Sequence, residues 1–156
     1  MKGRVLIIAG SDPSGGAGVQ ADIKTVTALG GYAAAAITAL TVQNTTGVSA
    51  VHPVDPAVIA AQIAAVLDDI GADAIKIGMI GDRASGAAIA DAIAFHATAI
   101  PVVIDPVLAA TSGDSLAGEG VAALILERLT PLAAVITPNA DEARALALAD
   151  RRVRVI

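Results

Sequence analysis

The segment Val5-to-Thr25, VLIIAGSDPSGGAGVQADIKT, places an apolar run directly before a loop of serine, aspartate, proline and glycines. Such a loop lets a backbone approach a polar ligand closely, because glycine carries no Cβ. Two phosphate-binding patterns fail on it. A P-loop requires lysine after its last glycine, and Gly15 is followed by Gly16 and Ala17. A dinucleotide fingerprint forced onto Gly16–Ala21 lacks its downstream acid, since nothing acidic lies between Asp22 and Asp55. What remains is a flexible turn or a loop for another polar ligand. Asp22, flanking the helical stripe of Val19 and Val26, favours the second: a half-buried carboxylate needs a partner, which a ligand could supply.

Further polar groups follow other apolar runs. Gln43 and Asn44 lie in ITALTVQNTTGV. A glutamine amide presents a donor beside an acceptor and matches the edge of an aminopyrimidine; equally, both amides could bond the backbone of a loop. Asn139 and Glu142 in TPNADEARAL have capping-box spacing, which by itself starts a helix. Asp105 in VVIDPV either organises Mg²⁺ through water or makes an Asp-Pro turn. Lys76, inside AIKIG, is a cation expected to be buried and therefore paired, with no partner legible nearby. Neither G-x-S-x-G nor H-E-x-x-H occurs, so hydrolase chemistry has no support.

Positioning these groups requires an alternating α/β chain. Strand-like runs are Val5–Ala9, Ala33–Leu40, Ala74–Gly78, Val102–Asp105 and Ala134–Thr137, short and apolar on both faces as in a buried parallel sheet. Helical periodicity joins Val19, Ile23 and Val26, and then Ile59, Ile63, Val66 and Ile70 behind an Asp55-Pro56 start. Arg83–His96, Gly118–Leu129 and Ala140–Leu148 complete the helices. Strand–helix alternation predicts right-handed βαβ units, with helices on both faces of the sheet. Ligands in such a sheet bind outside the carboxyl ends of the strands. Gly10–Gly18, Thr41–Thr46, Met79–Asp82, Asp105–Asp114 and Pro138–Glu142 should therefore open onto one edge.

Composition narrows the partners. Only 16% of the 156 residues are charged, against roughly 25% in an ordinary domain, while 55% are hydrophobic. That excess of apolar surface predicts a homo-oligomer, most simply a dimer. A net charge of −5 with one tyrosine, one phenylalanine and no tryptophan argues against nucleic acid. No apolar run reaches the roughly 18 residues of a membrane span. With no cysteine, no secretory pattern at the start and two isolated histidines, a cytoplasmic protein is expected.

Taken in order, AGSDPSGGAGVQADIKT, ITALTVQNTTGV, KIGMIG, VVIDPVLAATSGD and ITPNADEARAL resemble the hydroxymethylpyrimidine and phosphomethylpyrimidine kinases of thiamine biosynthesis. Pyridoxal kinases of the same superfamily share part of the pattern. The resemblance implies a ribokinase-like fold and transfer of phosphate from ATP with Mg²⁺. It implies that Gly10, Asp22 and Gln43 hold the pyrimidine, with Met79 lining the pocket. It assigns Asn139, Glu142 and Asp105 to the nucleotide side, with Glu142 and Asp105 near Mg²⁺ through water. The family's later lysine-glycine-glycine segment, and its glycine-threonine-glycine loop carrying the anion hole and catalytic base, do not occur in these 156 residues. A fold truncated after about five βα units over residues 1–148 is thus expected, with 149–156 a tail of unclear origin. No catalytic base is identified within it. A non-catalytic pyrimidine-binding fragment is the alternative.

Overall fold

The computed structural model describes residues 2–110 and 116–149. A six-stranded sheet runs in the order β3-β2-β1-β4-β5-β6. Its strands are β1 (Arg4–Ser11), β2 (Tyr32–Asn44), β3 (Gly47–Pro53), β4 (Ala74–Ile77), β5 (Val102–Ile104) and β6 (Val135–Ile136). All neighbours pair in parallel except β2 and β3, which form an antiparallel hairpin.

Local sequence explains the helices. Helix α1 (Gly18–Ala28) follows the glycine loop. In α2 (Pro56–Asp69), Asp55 accepts from the Ala57 N–H at 2.8 Å and Pro56 occupies the first turn, where its missing N–H is harmless. Asp82 likewise accepts from the Ser85 N–H at 2.7 Å to start α3 (Arg83–His96). The helix expected over Gly118–Leu129 is shorter and irregular: α4 (Val121–Leu124) runs into a π-helical turn at Ile125–Leu129 and a 3-10 turn at Thr130–Leu132. Its start is set at Gly120, whose φ of 77° no side-chain-bearing residue adopts cheaply. Helix α5 (Ala140–Ala149) closes the described chain.

Register assigns the two faces. Ile7 and Ala9 of β1 pack with Val19 under α1. Leu6, Ile8, Ile75, Ile77 and Ile104 point the other way and are buried with Ile59 and Ile63 of α2, Ile89 and Ile93 of α3 and Leu124 of α4. Each such side chain contributes about 1.5–3 kcal/mol on burial. Helices therefore cover both faces, but α1 covers its face around β1 and β2. Further along that face the pairing carries Ile7 across to Lys76, Val103 and Val135, and Val135 is 51% exposed.

The hairpin is a correction. Thr41–Thr46 is not a plain loop after a strand; β2 continues to Asn44 and returns through β3. The two-residue connection Thr45-Thr46 lacks the asparagine-glycine signature of hairpin turns, and neither threonine has positive φ. Asn44 organises it from outside, with Oδ1 accepting from the Thr46 N–H at 2.9 Å and the Thr46 hydroxyl at 2.6 Å.

The α3–α4 contact depends on a residue without a side chain. A Cβ at Gly86 would overlap Leu124 Cδ2 and stand 3.3 Å from Ile80 Cγ2. Replacing Gly86→Ala is expected to destabilise the fold by about 1–3 kcal/mol through overpacking. Urea unfolding checks this, and an unchanged midpoint would show that α4 yields freely.

Candidate active site

Parallel strands deliver the polar residues to one edge. There the carboxyl ends of β1, β2, β4, β5 and β6 surround a cleft of about 650 Å³. Gly10, Asp22, Gln43, Met79, Asp105, Asn139 and Glu142 all line it, together with Lys76 and Asp12. The stretch Asp105–Asp114 is only partly visible at this edge, because 111–115 lie outside the described residues, as do 150–156 of the tail.

The glycine loop is built around Asp12, which sequence reasoning passed over. This carboxylate is 3% exposed. It accepts from the Ser14 N–H at 2.8 Å and hydroxyl at 2.9 Å, the Gly16 N–H at 3.0 Å and the Ala17 N–H at 2.8 Å. Burial pushes its pKa up, but the bonds from Ser14, Ala17 and the Gln43 amide outweigh burial and hold it below the ordinary value. In a phosphate-binding loop the converging N–H groups meet an exogenous anion. Here they meet the chain's own carboxylate. Gln20 braces the same loop, accepting from the Asp12 N–H at 2.8 Å and donating to Ser11 Oγ at 2.7 Å. Gly18 is required where the loop meets α1: its φ is 57°, and a Cβ there would overlap the Gly10 carbonyl. An Asp-Pro-Ser-Gly-Gly string, with an aspartate two residues before a serine N–H, was the signal that could have found Asp12.

Gly10 serves a second contact. A Cβ on it would stand 2.9 Å from Met79 Sδ, so the bare backbone is what lets Met79 pack at the cleft floor. Met79 is fixed in turn by Thr38, whose hydroxyl donates to the Met79 carbonyl at 2.7 Å. Gln43 stands near the end of β2, on the hairpin, rather than in a loop. The carboxylate of Asp22 has a neighbour that the sequence did not show. Its partner is protein: Lys76 Nζ donates to Asp22 Oδ2 at 2.8 Å and lies 3.7 Å from Asp105 Oδ2.

On the opposite side, Asn139 and Glu142 form the reciprocal capping box. Asn139 Oδ1 accepts from the Glu142 N–H at 2.9 Å, and Glu142 Oε2 accepts from the Asn139 N–H at 2.9 Å. The box starts α5 at the cleft wall, so capping and cleft lining coincide in the same side chains. Among the described lining residues, Asp12, Asp22, Asp105 and Glu142 face a single cation, Lys76. A polyphosphate entering so acidic a cleft needs accompanying positive charge.

The mostly parallel six-stranded sheet with its cleft at the strand ends is an α/β fold, and its match to solved phosphomethylpyrimidine and pyridoxal kinases makes it ribokinase-like. Residues 12–154 match the family described as phosphomethylpyrimidine kinase, and the chain belongs to that family. A hydroxymethylpyrimidine/phosphomethylpyrimidine kinase of Rhizobium meliloti is 51% identical over 138 residues, covering 88% of this chain and 51% of the relative. The crystal structure of phosphomethylpyrimidine kinase from Clostridium difficile superimposes with a TM-score of 0.84 at 42% identity, covering 92% of this chain and 62% of that one. A pyridoxal kinase from Staphylococcus aureus, in complex with AMP-PCP and pyridoxal, gives a TM-score of 0.79 at 35% identity, covering 92% and 51%. The chain thus spans about half the length of the curated kinases it matches.

Removing the loop's internal anion should be costly. Asp12→Ala leaves the donors of Ser14, Gly16 and Ala17 without their acceptor and is expected to lower stability by roughly 2–4 kcal/mol. Denaturation checks the magnitude; a change below about 0.5 kcal/mol, typical of surface positions, would mean the loop stands without it. The carboxyl's pKa is depressed from 3.8, so its stabilisation is present above that value and is lost as pH falls through the lower folded value. The Gly16 and Ala17 amide resonances should accordingly shift with a midpoint below pH 3.8.

Proposed function

We propose that this chain carries the substrate and nucleotide sides of an ATP-dependent kinase acting on 4-amino-5-hydroxymethyl-2-methylpyrimidine or its monophosphate in thiamine biosynthesis. The observation that carries this reading is the loop closed on Asp12, which commits its N–H groups internally and leaves the glycine wall to a neutral ring. Gly10 and Met79 form an apolar floor, Gln43 offers an amide edge and Asp22 an acceptor. The pyrimidine is held there between glycine and aliphatic surfaces, since no aromatic residue lines the cleft among the described residues.

The other side suits a magnesium nucleotide. No cluster of three or more metal-ligating side chains occurs among the described residues. Mg²⁺ does not require one, because it is commonly held by one or two carboxylates, with phosphates and water completing its shell. Glu142 uses one carboxylate oxygen in the capping box and has the other for a cation or its water, and Asp105 lies in the same cleft. When bound, the ion supplies the positive charge that phosphoryl transfer needs. Asn139 and Glu142 orient the nucleotide side through the start of α5. The solved complexes with pyridoxal give a B6 vitamer as the second substrate reading.

Self-association and a cytoplasmic location complete the proposal. The apolar composition supports the first, with Leu40 and Val42 half-exposed beside the edge strand β3. No helix among the described residues is long and apolar enough to cross a membrane.

Isothermal titration with the pyrimidine alcohol and with pyridoxal tests the substrate side. The pyrimidine should bind more tightly, and Gln43→Leu should weaken it by about 1–3 kcal/mol by leaving a donor–acceptor edge unpaired. Preference for pyridoxal, or no effect of the substitution, would contradict the reading. Light scattering at micromolar concentration should report a dimer, and a clean monomer would count against self-association.

A further inference from the structure

Lys76 is the cleft residue to which the proposed function gives no task. It stands on β4 on the α1 side of the sheet, with Asp22 of α1 and Asp105 after β5 as its neighbours. The space for its ammonium comes from Gly78, just past the end of β4 and two residues on from Lys76: a Cβ there would stand 2.9 Å from Lys76 Nζ. Nζ donates to Asp22 Oδ2 at 2.8 Å, and both side chains are about three-quarters buried (25% and 24% exposed). A largely buried pair of this kind differs from a surface bridge, because removing one partner leaves the other's charge uncompensated.

Two other tasks for this lysine fit poorly. One positive charge facing two carboxylates sums to −1, so the group repels phosphate oxygens instead of receiving them. A nucleophilic amine must also be free of such partners, and this one is engaged with Asp22. What the geometry does accomplish is to fix a carboxylate. Asp22 belongs to a helix, Lys76 to the sheet, and their bond spans the gap at the cleft floor. With Oδ2 engaged, Oδ1 of Asp22 makes no hydrogen bond within the described residues.

We propose that Lys76 is a positioning residue for substrate binding: held in the space above Gly78, it engages Asp22 Oδ2 and thereby presents Oδ1 as the acceptor for an N–H or O–H donor of the ligand. An ionised carboxylate offers acceptors only, so this corner selects ligands that bring a donor to it. The inference rests on the proposed pyrimidine-binding function and adds the residue that orients its acceptor.

The test is a binding cycle by isothermal titration of the full 156-residue chain with 4-amino-5-hydroxymethyl-2-methylpyrimidine. Lys76→Met should weaken binding about tenfold, while the same change in an Asp22→Asn background should cost less than about twofold. Lys76→Arg, which keeps a cation at that place, should restore most of the affinity. If circular dichroism shows that Lys76→Met does not fold, Gly78→Ala replaces it in the cycle, because its Cβ displaces the ammonium without deleting the charge. Equal losses in both backgrounds, or no loss at all, overturn the inference while leaving the functional reading intact. Failure of the unsubstituted chain to bind the pyrimidine contradicts the functional reading itself and the inference with it.

Discussion

The carboxylate of Asp12 satisfies the donors of the loop that follows the first strand, and the character of the cleft depends on that interaction. Backbone N–H groups converging in a tight glycine-rich turn form an anion-binding nest. Left empty, the nest between Gly10 and Gly18 would attract phosphate. Filled by Asp12, it becomes a rigid and electrically satisfied wall. The closure also sets where α1 begins, because the Ala17 N–H is bound by Asp12 and the Ala17 side chain caps nothing. The placement of Asp22 follows from where that helix starts.

The sheet supplies the rest of the geometry. Parallel pairing of β1 with β2 and β4, and of β5 with β4 and β6, brings residues distant in sequence to one edge. Lys76 and Asp22 are 54 positions apart and 2.8 Å apart in space. Two glycines convert proximity into packing: Gly10 makes room for Met79, and Gly78 for the Lys76 ammonium. Acidic groups dominate the finished cleft, which suits a magnesium–phosphate ligand better than a free polyanion. On the proposed reading, substrate selection and nucleotide charge fall to different walls of one cavity.

What could be read from the sequence was local chemistry. Asp55-Pro56 and the Asn139/Glu142 pair announce helix starts within four residues, and both are found as capping structures. Strands buried on both faces are continuous apolar runs, so β1, β4 and β5 were legible to within a few residues. Strand β3 was not, because a threonine–threonine connection organised by Asn44 carries none of the usual hairpin residues. The partner of Lys76 was illegible for a different reason: it depends on sheet register and on the position of α1, which no local pattern encodes. Asp12 lay between these cases. Its spacing to Ser14 was visible, but its burial at the centre of the loop was not.

The central claim, that the glycine loop receives the pyrimidine and not the nucleotide, is open to one direct measurement. Backbone amide shifts of the isotope-labelled chain can be followed while the pyrimidine alcohol, and separately Mg²⁺ with a non-hydrolysable ATP analogue, are added. The pyrimidine should shift the amides of Gly10, Gln43 and Met79, and the nucleotide should shift those around Asn139 and Glu142 while leaving Gly15–Ala17 in place. Nucleotide-induced shifts concentrated at Gly15, Gly16 and Ala17 would show that the loop opens to phosphate after all, and would contradict the account.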